Sequence, residues 1–409
     1  MVKQTVPPMS AIFSSQRFGR PQIFAAALLL VFVGECAWLV AHEYPNATGQ
    51  DELARIEEGL AQWHGMGIAG TPSIRTPLGA AAGTSELYDT HHSPLWSLIA
   101  AAPLVIFHVP ADSLRWLWLT RVPYILIGTL LGASVWYVAR RLYGNAGGYI
   151  ALTLYCFSPA VIRSCTLWVA EPDVAGAWGT FGAVFTAIAV SHTLYAPREV
   201  VLWNWRRIVL LGVSLTLAVG SQFGFAVVIP VLLAFMLYLA PDRKRAAITI
   251  LAAACCIAAF LLFASYFFHP TLFGGALKHA RFLDTNWHAV AMPGAYKQLL
   301  KEVAGSGPVL ILLFPAALVV FVAWPRTRYF GNAAPLIMAL LFLLQRVLSP
   351  HSSGSVFGLT AVIFTFVFIS GIVADLLEAK SLESVSAVLV GLVAANALWD
   401  LVGLARIGH

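Results

Sequence analysis

Residues 22–52 read QIFAAALLLVFVGECAWLVAHEYPNATGQDE: twenty mostly apolar residues (22–41) that stop at His42 and Glu43, followed closely by Asp51 and Glu52. About 20 such residues span the ~30 Å hydrocarbon core of a bilayer, so the run reads as a membrane anchor. It is too long for the apolar part of a signal peptide, and no small-x-small cleavage site follows it. The polar stretch behind it marks a boundary where the chain leaves the membrane.

The rest of the chain repeats this alternation. Of 409 residues, 59% are hydrophobic and 11% charged, whereas a soluble domain has roughly 45–50% and about 25%. With a mean hydropathy of +0.79, a soluble globular enzyme, a disordered chain and a fibrous protein are all excluded. The net charge of +6 is spread thinly and forms no dense basic patch, which argues against nucleic acid as a partner. Further apolar runs lie at 119–139, 147–166, 174–191, 207–220, 224–240, 246–267, 307–324, 331–347, 354–377 and 384–404. The expected fold is therefore all-α and polytopic, with eleven transmembrane helices, or twelve if the apolar stretch 94–109 crosses. Cys36, Cys156, Cys165, Cys255 and Cys256 lie in or beside these runs without C-x-x-C spacing, so they read as small core residues rather than as disulfides or zinc ligands.

Orientation follows from the basic residues, because short cytoplasmic loops retain Lys and Arg. Lys3, Arg17, Arg20, Arg140, Arg141, Arg198, Arg206, Arg207, Arg243, Lys244, Arg245, Arg326, Arg328 and Lys380, fourteen of the 25 basic residues, fall on one side. This places the N-terminus inside and leaves two long outside segments, 42–93 and 268–306. Arg140-Arg141 inside and Glu171-Pro172-Asp173 outside then require 119–139 to run inward, so 94–109 is re-entrant or interfacial unless the rule fails at one loop. The site is expected outside a multi-pass protein of the cell (inner) membrane.

The first outside segment concentrates the chemistry. Glu43, Asp51, Glu52, Glu57, Glu58, Glu86 and Asp89 are seven of the chain's 19 acids. Leu53, Ile56, Leu60 and Trp63 form one stripe at helical spacing, the pattern of an amphipathic helix on a membrane surface. Asp89, His91 and His92 follow at the boundary of the next apolar stretch. Beyond 147–166, Glu171-Pro172-Asp173 sets two carboxylates on a short extended loop, since proline keeps the preceding residue out of helix. Such a pair could share a divalent cation, Mg or Mn, through oxygen.

The order of these features resembles the polytopic glycosyltransferases of the GT-C fold that use lipid-phosphate-linked sugars, the group of protein O-mannosyltransferases and the lipid A aminoarabinose transferase. Asp51-Glu52-Leu53-Ala54-Arg55 stands at the family's Asp-Glu motif, His92-Ser93-Pro94-Leu95 at its His-Pro-Pro-Leu, and Glu171 and Asp173 at its second acidic motif. The span ending Arg140-Arg141-Leu142-Tyr143-Gly144 and the pair Ser158-Pro159 fit the same order. The likeness covers residues 20–195. Ile56 where many members have tyrosine, Ser93 for a proline, and the rival pair His42-Glu43 are departures.

The resemblance implies three parts: residues 1–21 as a cytoplasmic N-terminus, 22–195 as a catalytic transmembrane module, and 196–409 as additional helices. It implies a polyprenyl-phosphate-sugar donor, a lipid, glycan or protein acceptor, and inversion with Asp51 as base and Glu52 as second choice. Candidates for the departing phosphate are His92, Arg163, Lys278, Arg281 and Arg346. Glu35, Glu43 and Asp89 are expected to line the cavity, since an ionised Glu35 within a span is costly unless it faces a polar space. A transporter or flippase for a lipid-linked precursor, and a non-catalytic GT-C-like partner of a glycan assembly complex, remain open from sequence.

Overall fold

The structure, a computed structural model, describes residues 20–47, 50–64, 89–109, 114–166, 173–195, 205–283, 285–350, 354–379 and 383–407, with backbone only for 20, 43–47, 50–55, 114–117, 383 and 407. Among the described residues all regular structure is helical. The order is α1 (Arg20–Ala47), α2 (Gln50–Trp63), α3 (Leu95–Phe107), α4 (Leu114–Cys156), α5 (Pro159–Thr166), α6 (Asp173–Thr193), α7 (Trp205–Ser221) and α8 (Val228–Leu239). It continues with α9 (Lys244–Ser265), α10 (Pro270–His279), α11 (Pro293–Ser306), α12 (Leu310–Ala323), α13 (Phe330–Leu348), α14 (Ser355–Glu378) and α15 (Glu383–Ile407). Among the described residues seven helices, α1, α4, α6, α9, α13, α14 and α15, are long and apolar enough to cross a membrane, and α11 with α12 forms a further pair bent by 99°. The chain is a multi-pass membrane protein.

The apolar runs divide among these helices in a way that length alone conceals. α4 holds two antiparallel arms, because Gly144, at φ 76° and ψ −170°, reverses the chain; a side chain is strained at that φ and glycine is not. The returning arm lies beside the first, where the Tyr155 hydroxyl donates to Gly128 O at 2.5 Å, and is tied to α1, where that of Tyr149 donates to Pro21 O at 2.9 Å. The run 147–166 is in turn broken at Phe157-Ser158, before Pro159 opens α5. The 13 residues of α3 rise only about 20 Å, shorter than the ~30 Å hydrocarbon core and in keeping with the re-entrant or interfacial helix expected for 94–109.

One end of the bundle carries Arg140 and Arg141 at the Gly144 turn, Arg206 and Arg207 at the start of α7, Arg243 before α9, and Arg326 and Arg328 before α13. Tyr143 donates to Gly331 O at 2.6 Å and Arg326 pairs with Glu378 at 3.1 Å, tying these turns together. The opposite end carries His91, Asp173, Arg346 and Ser355. α14 is the axis, buried on every side, as befits a helix that is apolar all round. Its Phe357 and Phe364 stack on Phe342, with ring centroids 6.3 and 6.2 Å apart. α6 and α7 approach closely because Gly179 lies against the backbone of Ala218 and Gly182 against Ser214, small residues replacing bulk where lipid offers no hydrophobic drive. Cys36, Cys156 and Cys165 are core residues as expected; Cys255 is half-buried and Cys256 exposed, since both sit toward the outer face of α9.

Candidate functional site

The segment Asp89–Pro94 enters the bundle at the end opposite the basic turns. Ser93 anchors it by donating both its N–H (3.1 Å) and its hydroxyl (2.8 Å) to Gly220 O at the end of α7. The Phe223 N–H donates to His91 O and the Arg281 N–H to Thr90 O, each at 2.8 Å. Asp89 shapes the segment from within: its Oδ1 accepts the N–H groups of His91 (2.8 Å) and His92 (3.0 Å), and its Oδ2 meets the His92 ring Nδ1 at 3.1 Å. This is an Asx turn that also orients an imidazole. The carboxylate takes the proton-bearing Nδ1 and turns Nε2 away from itself. Burial, and after it the Asp89 carboxylate, push the Tyr266 phenol above its usual range, so it stays neutral beside them.

Gln222 follows Gly220 and Ser221 into this junction. It is 1% exposed, and among the described residues neither end of its amide has a hydrogen-bond partner, whereas buried amides are normally paired.

α2 lies across α3. Ile56 is buried, Gly59 sits directly on Ser97 O, and the Trp63 indole N–H donates to Leu98 O at 3.0 Å. The apolar stripe thus faces a protein helix, which corrects the expectation of a helix resting on the membrane surface; Gln62 is buried too and accepts the Ser97 hydroxyl at 3.4 Å. Asp51 and Glu52 fall in the first turn of α2, where the helix dipole favours carboxylates. Their side chains, that of Glu43 and all of Glu171 lie outside the described residues.

Arg121, which the sequence reading passed over inside the run 119–139, is fully buried. Its Nε donates to Thr166 O at 3.1 Å and its Nη1 to the Thr120 hydroxyl at 2.8 Å, fixing the start of α4 against the end of α5. Asp173 begins α6 and accepts the Ser355 hydroxyl at 3.2 Å. Arg346 does not stand as an open cation for phosphate: its Nε and Nη2 fork onto Glu302 at 2.7 and 2.5 Å, and its Nη1 donates to Ser349 O at 2.6 Å. Gly354 lies against the Arg346 guanidinium, so this pair and Asp173–Ser355 are neighbours across the start of α14. Lys278 and Arg281 are exposed on the rim, where Trp287 and Tyr296 are exposed too. Arg163 is half-buried and within electrostatic reach of Asp400 on α15, which in turn reaches Glu35.

Among the described residues no three His, Cys, Asp or Glu side chains form a metal-binding group.

No family model matches the chain, and no curated protein matches it. Solved structures do. The archaeal oligosaccharyltransferase AglB of Archaeoglobus fulgidus, in complex with an inhibitory peptide and a dolichol-phosphate, aligns at TM-score 0.59 and 12% identity over 95% of this chain and 56% of that one. The same organism's enzyme with zinc and sulfate aligns at TM-score 0.53 and 16% identity, over 93% and 53%. ArnT of Cupriavidus metallidurans, in the apo state, aligns at TM-score 0.57 and 13% identity, over 85% and 59%. The chain spans between half and three-fifths of the length of these neighbours. It has the GT-C fold of membrane glycosyltransferases.

Proposed function

We propose that the chain transfers a sugar from a polyprenyl-phosphate-linked donor to an acceptor hydroxyl or amine on the outer face of the cell membrane. The observation that carries this reading is the separation of charge along a GT-C bundle. The basic turns gather at one end, the side that retains positive charge in the cytoplasm. The Asp-Glu turn of α2, the Asp89–His92 pair, Asp173 and buried Arg121 belong to the other end or its loops.

In the reaction, Asp51 accepts the proton of the acceptor as its oxygen or nitrogen bonds the anomeric carbon. The bond from that carbon to phosphate breaks on the opposite face, and polyprenyl phosphate leaves with the electron pair. Glu52 is the alternative base. Arg163, Lys278 and Arg281 are our candidates to meet the phosphate, joined by His92 in a form whose Nε2 carries a proton, with Arg346 acting through Glu302 rather than directly. A divalent cation held by Asp173 with Glu171 would neutralise charge on the leaving group; the zinc in one neighbour's structure is in keeping with this.

The test is transfer of label from a panel of polyprenyl-phosphate sugars to lipid and peptide acceptors by the purified chain, with and without chelator. Glycosylated product supports the reading. Movement of the intact donor across a proteoliposome bilayer without product would favour a flippase instead.

A further inference from the structure

α11 and α12 are bent by 99° where Ser306-Gly307 separates them. The bend is held from two sides: Ser306 O accepts the Ser158 hydroxyl at 2.8 Å, and the Asn396 side chain of α15 lies against Gly307. From there α12 leads to the basic end at Arg326 and exposes Leu312, Val319 and Val322 along its length. A helix that is apolar all round but only partly covered by protein turns its open side to lipid, so α12 is directed across the bilayer. α11, at nearly a right angle to it, lies along the surface of the leaflet at the Arg346 end.

The two faces of α11 differ in kind. Inward, Ala295 is buried and Glu302 takes the Arg346 guanidinium at 2.7 Å. Outward, Tyr296 with Leu300 and Lys297 with Lys301 form two adjacent i,i+4 rows, and all four side chains are exposed. The turn before α11 extends this outer face with exposed Trp287, Val290 and Met292. That turn is fixed in place, because the Asn286 N–H donates to Leu348 O at the end of α13 (2.8 Å) and the Tyr296 hydroxyl donates to Val290 O (2.9 Å).

Trp287 at 69% exposure and Leu300 at 55% on one built surface call for apolar cover. Residues 287–301 contain no Asp or Glu, so the same cover must bring negative charge to the two lysines. A membrane surface meets both demands. Apolar side chains enter the boundary between headgroups and acyl chains, Trp and Tyr sit at headgroup level, and lysine stems carry their ammonium groups to the phosphates. We propose that α11 and the Trp287 turn rest in this leaflet, with Lys297 and Lys301 bound to the phosphates of anionic phospholipids. The grip of Glu302 on Arg346 then ties the lipid-bound face to the end of α13. The proposal rests on the bend and on this face, and does not depend on glycosyl transfer.

The experiment uses the purified full chain in nanodiscs of phosphatidylcholine, alone or with phosphatidylglycerol added, and reads amide exchange across α11. Phosphatidylglycerol is expected to slow that exchange by about fivefold or more, the attraction of even one lysine near an anionic surface. The double variant Lys297→Gln, Lys301→Gln is expected to lose the slowing. Depth is read separately, from tryptophan quenching by phospholipid with brominated acyl chains, a part of which Trp287→Phe is expected to remove. The substituted side chains are exposed, so both variants should fold as the wild type does. Equal exchange in the two lipid mixtures would overturn the proposal and leave the face to a protein partner. Slowing that persists in the double variant, or quenching unchanged in Trp287→Phe, would overturn it as well.

Discussion

The Asp89 carboxylate holds His92 at two points, accepting its backbone N–H at 3.0 Å and facing its ring Nδ1 at 3.1 Å. One acid therefore sets both the turn that leads into α3 and the orientation of the imidazole carried on it. Asparagine at this position keeps an acceptor for the turn and loses the charge; alanine loses both. Asp89→Asn is expected to unfold within a degree or two of wild type, whereas Asp89→Ala loses about 1–2 kcal/mol for two backbone hydrogen bonds. Both are expected to lower transfer, by roughly tenfold or more if oriented His92 takes part in proton or phosphate handling. Unchanged transfer in Asp89→Asn would show that the charge has no role beyond the turn.

Gln222 carries an opposite signature. Its amide is buried and unpaired, so a side chain of similar shape without polar atoms is expected to be as stable or about 1 kcal/mol more stable. Gln222→Met should therefore raise or hold the unfolding midpoint while weakening donor use. Gain of stability with loss of activity marks a residue kept for a ligand. Loss of stability would mean that the amide is satisfied in the folded protein.

The Arg346–Glu302 fork joins a buried guanidinium to a half-buried carboxylate and is expected to behave as a coupled ion pair. Glu302→Gln leaves the 3% exposed Arg346 without its counter-charge, a change that costs about 3 kcal/mol or more. Replacing both by neutral residues should cost less than the sum of the single losses, which a double-mutant cycle reads from unfolding midpoints. Arg346→Lys is not expected to rescue, because a lysine cannot reproduce the two-pronged contact. Additive single effects would contradict the pairing.

Gly144 gives a test of the α4 hairpin. Any side chain at φ 76° and ψ −170° is strained by about 1–3 kcal/mol. Gly144→Ala is expected to lower the unfolding midpoint, and wild-type stability in that variant would argue against the reversal.

Much of this architecture was legible in the sequence because the bilayer imposes a length and a polarity on each span. The arms 119–139 and 147–166 were both visible; the glycine that reverses the chain between them looked like any other loop residue. α2 was legible as a helix from Leu53, Ile56, Leu60 and Trp63, but its partner was not, since a stripe of that kind fits α3 and a lipid surface equally well. Arg346 read as an open cation because Glu302 is 44 residues away in the chain. Arg121, Gln222, Asn396 and Asp400 escaped the reading for a related reason. Each is one polar residue in or beside an apolar run, and only the fold shows that it points inward to a junction rather than to a helix end.

The central claim is transfer by a carboxylate at the start of α2, and one comparison tests it most directly. Wild type and Asp51→Asn are assayed side by side for donor binding and for sugar transfer from the polyprenyl-phosphate donor the wild type uses. Retained donor binding with transfer reduced by roughly a hundredfold or more is the expected result for loss of a general base. Transfer at the wild-type rate in Asp51→Asn would contradict the assignment and shift the base to Glu52 or Glu43.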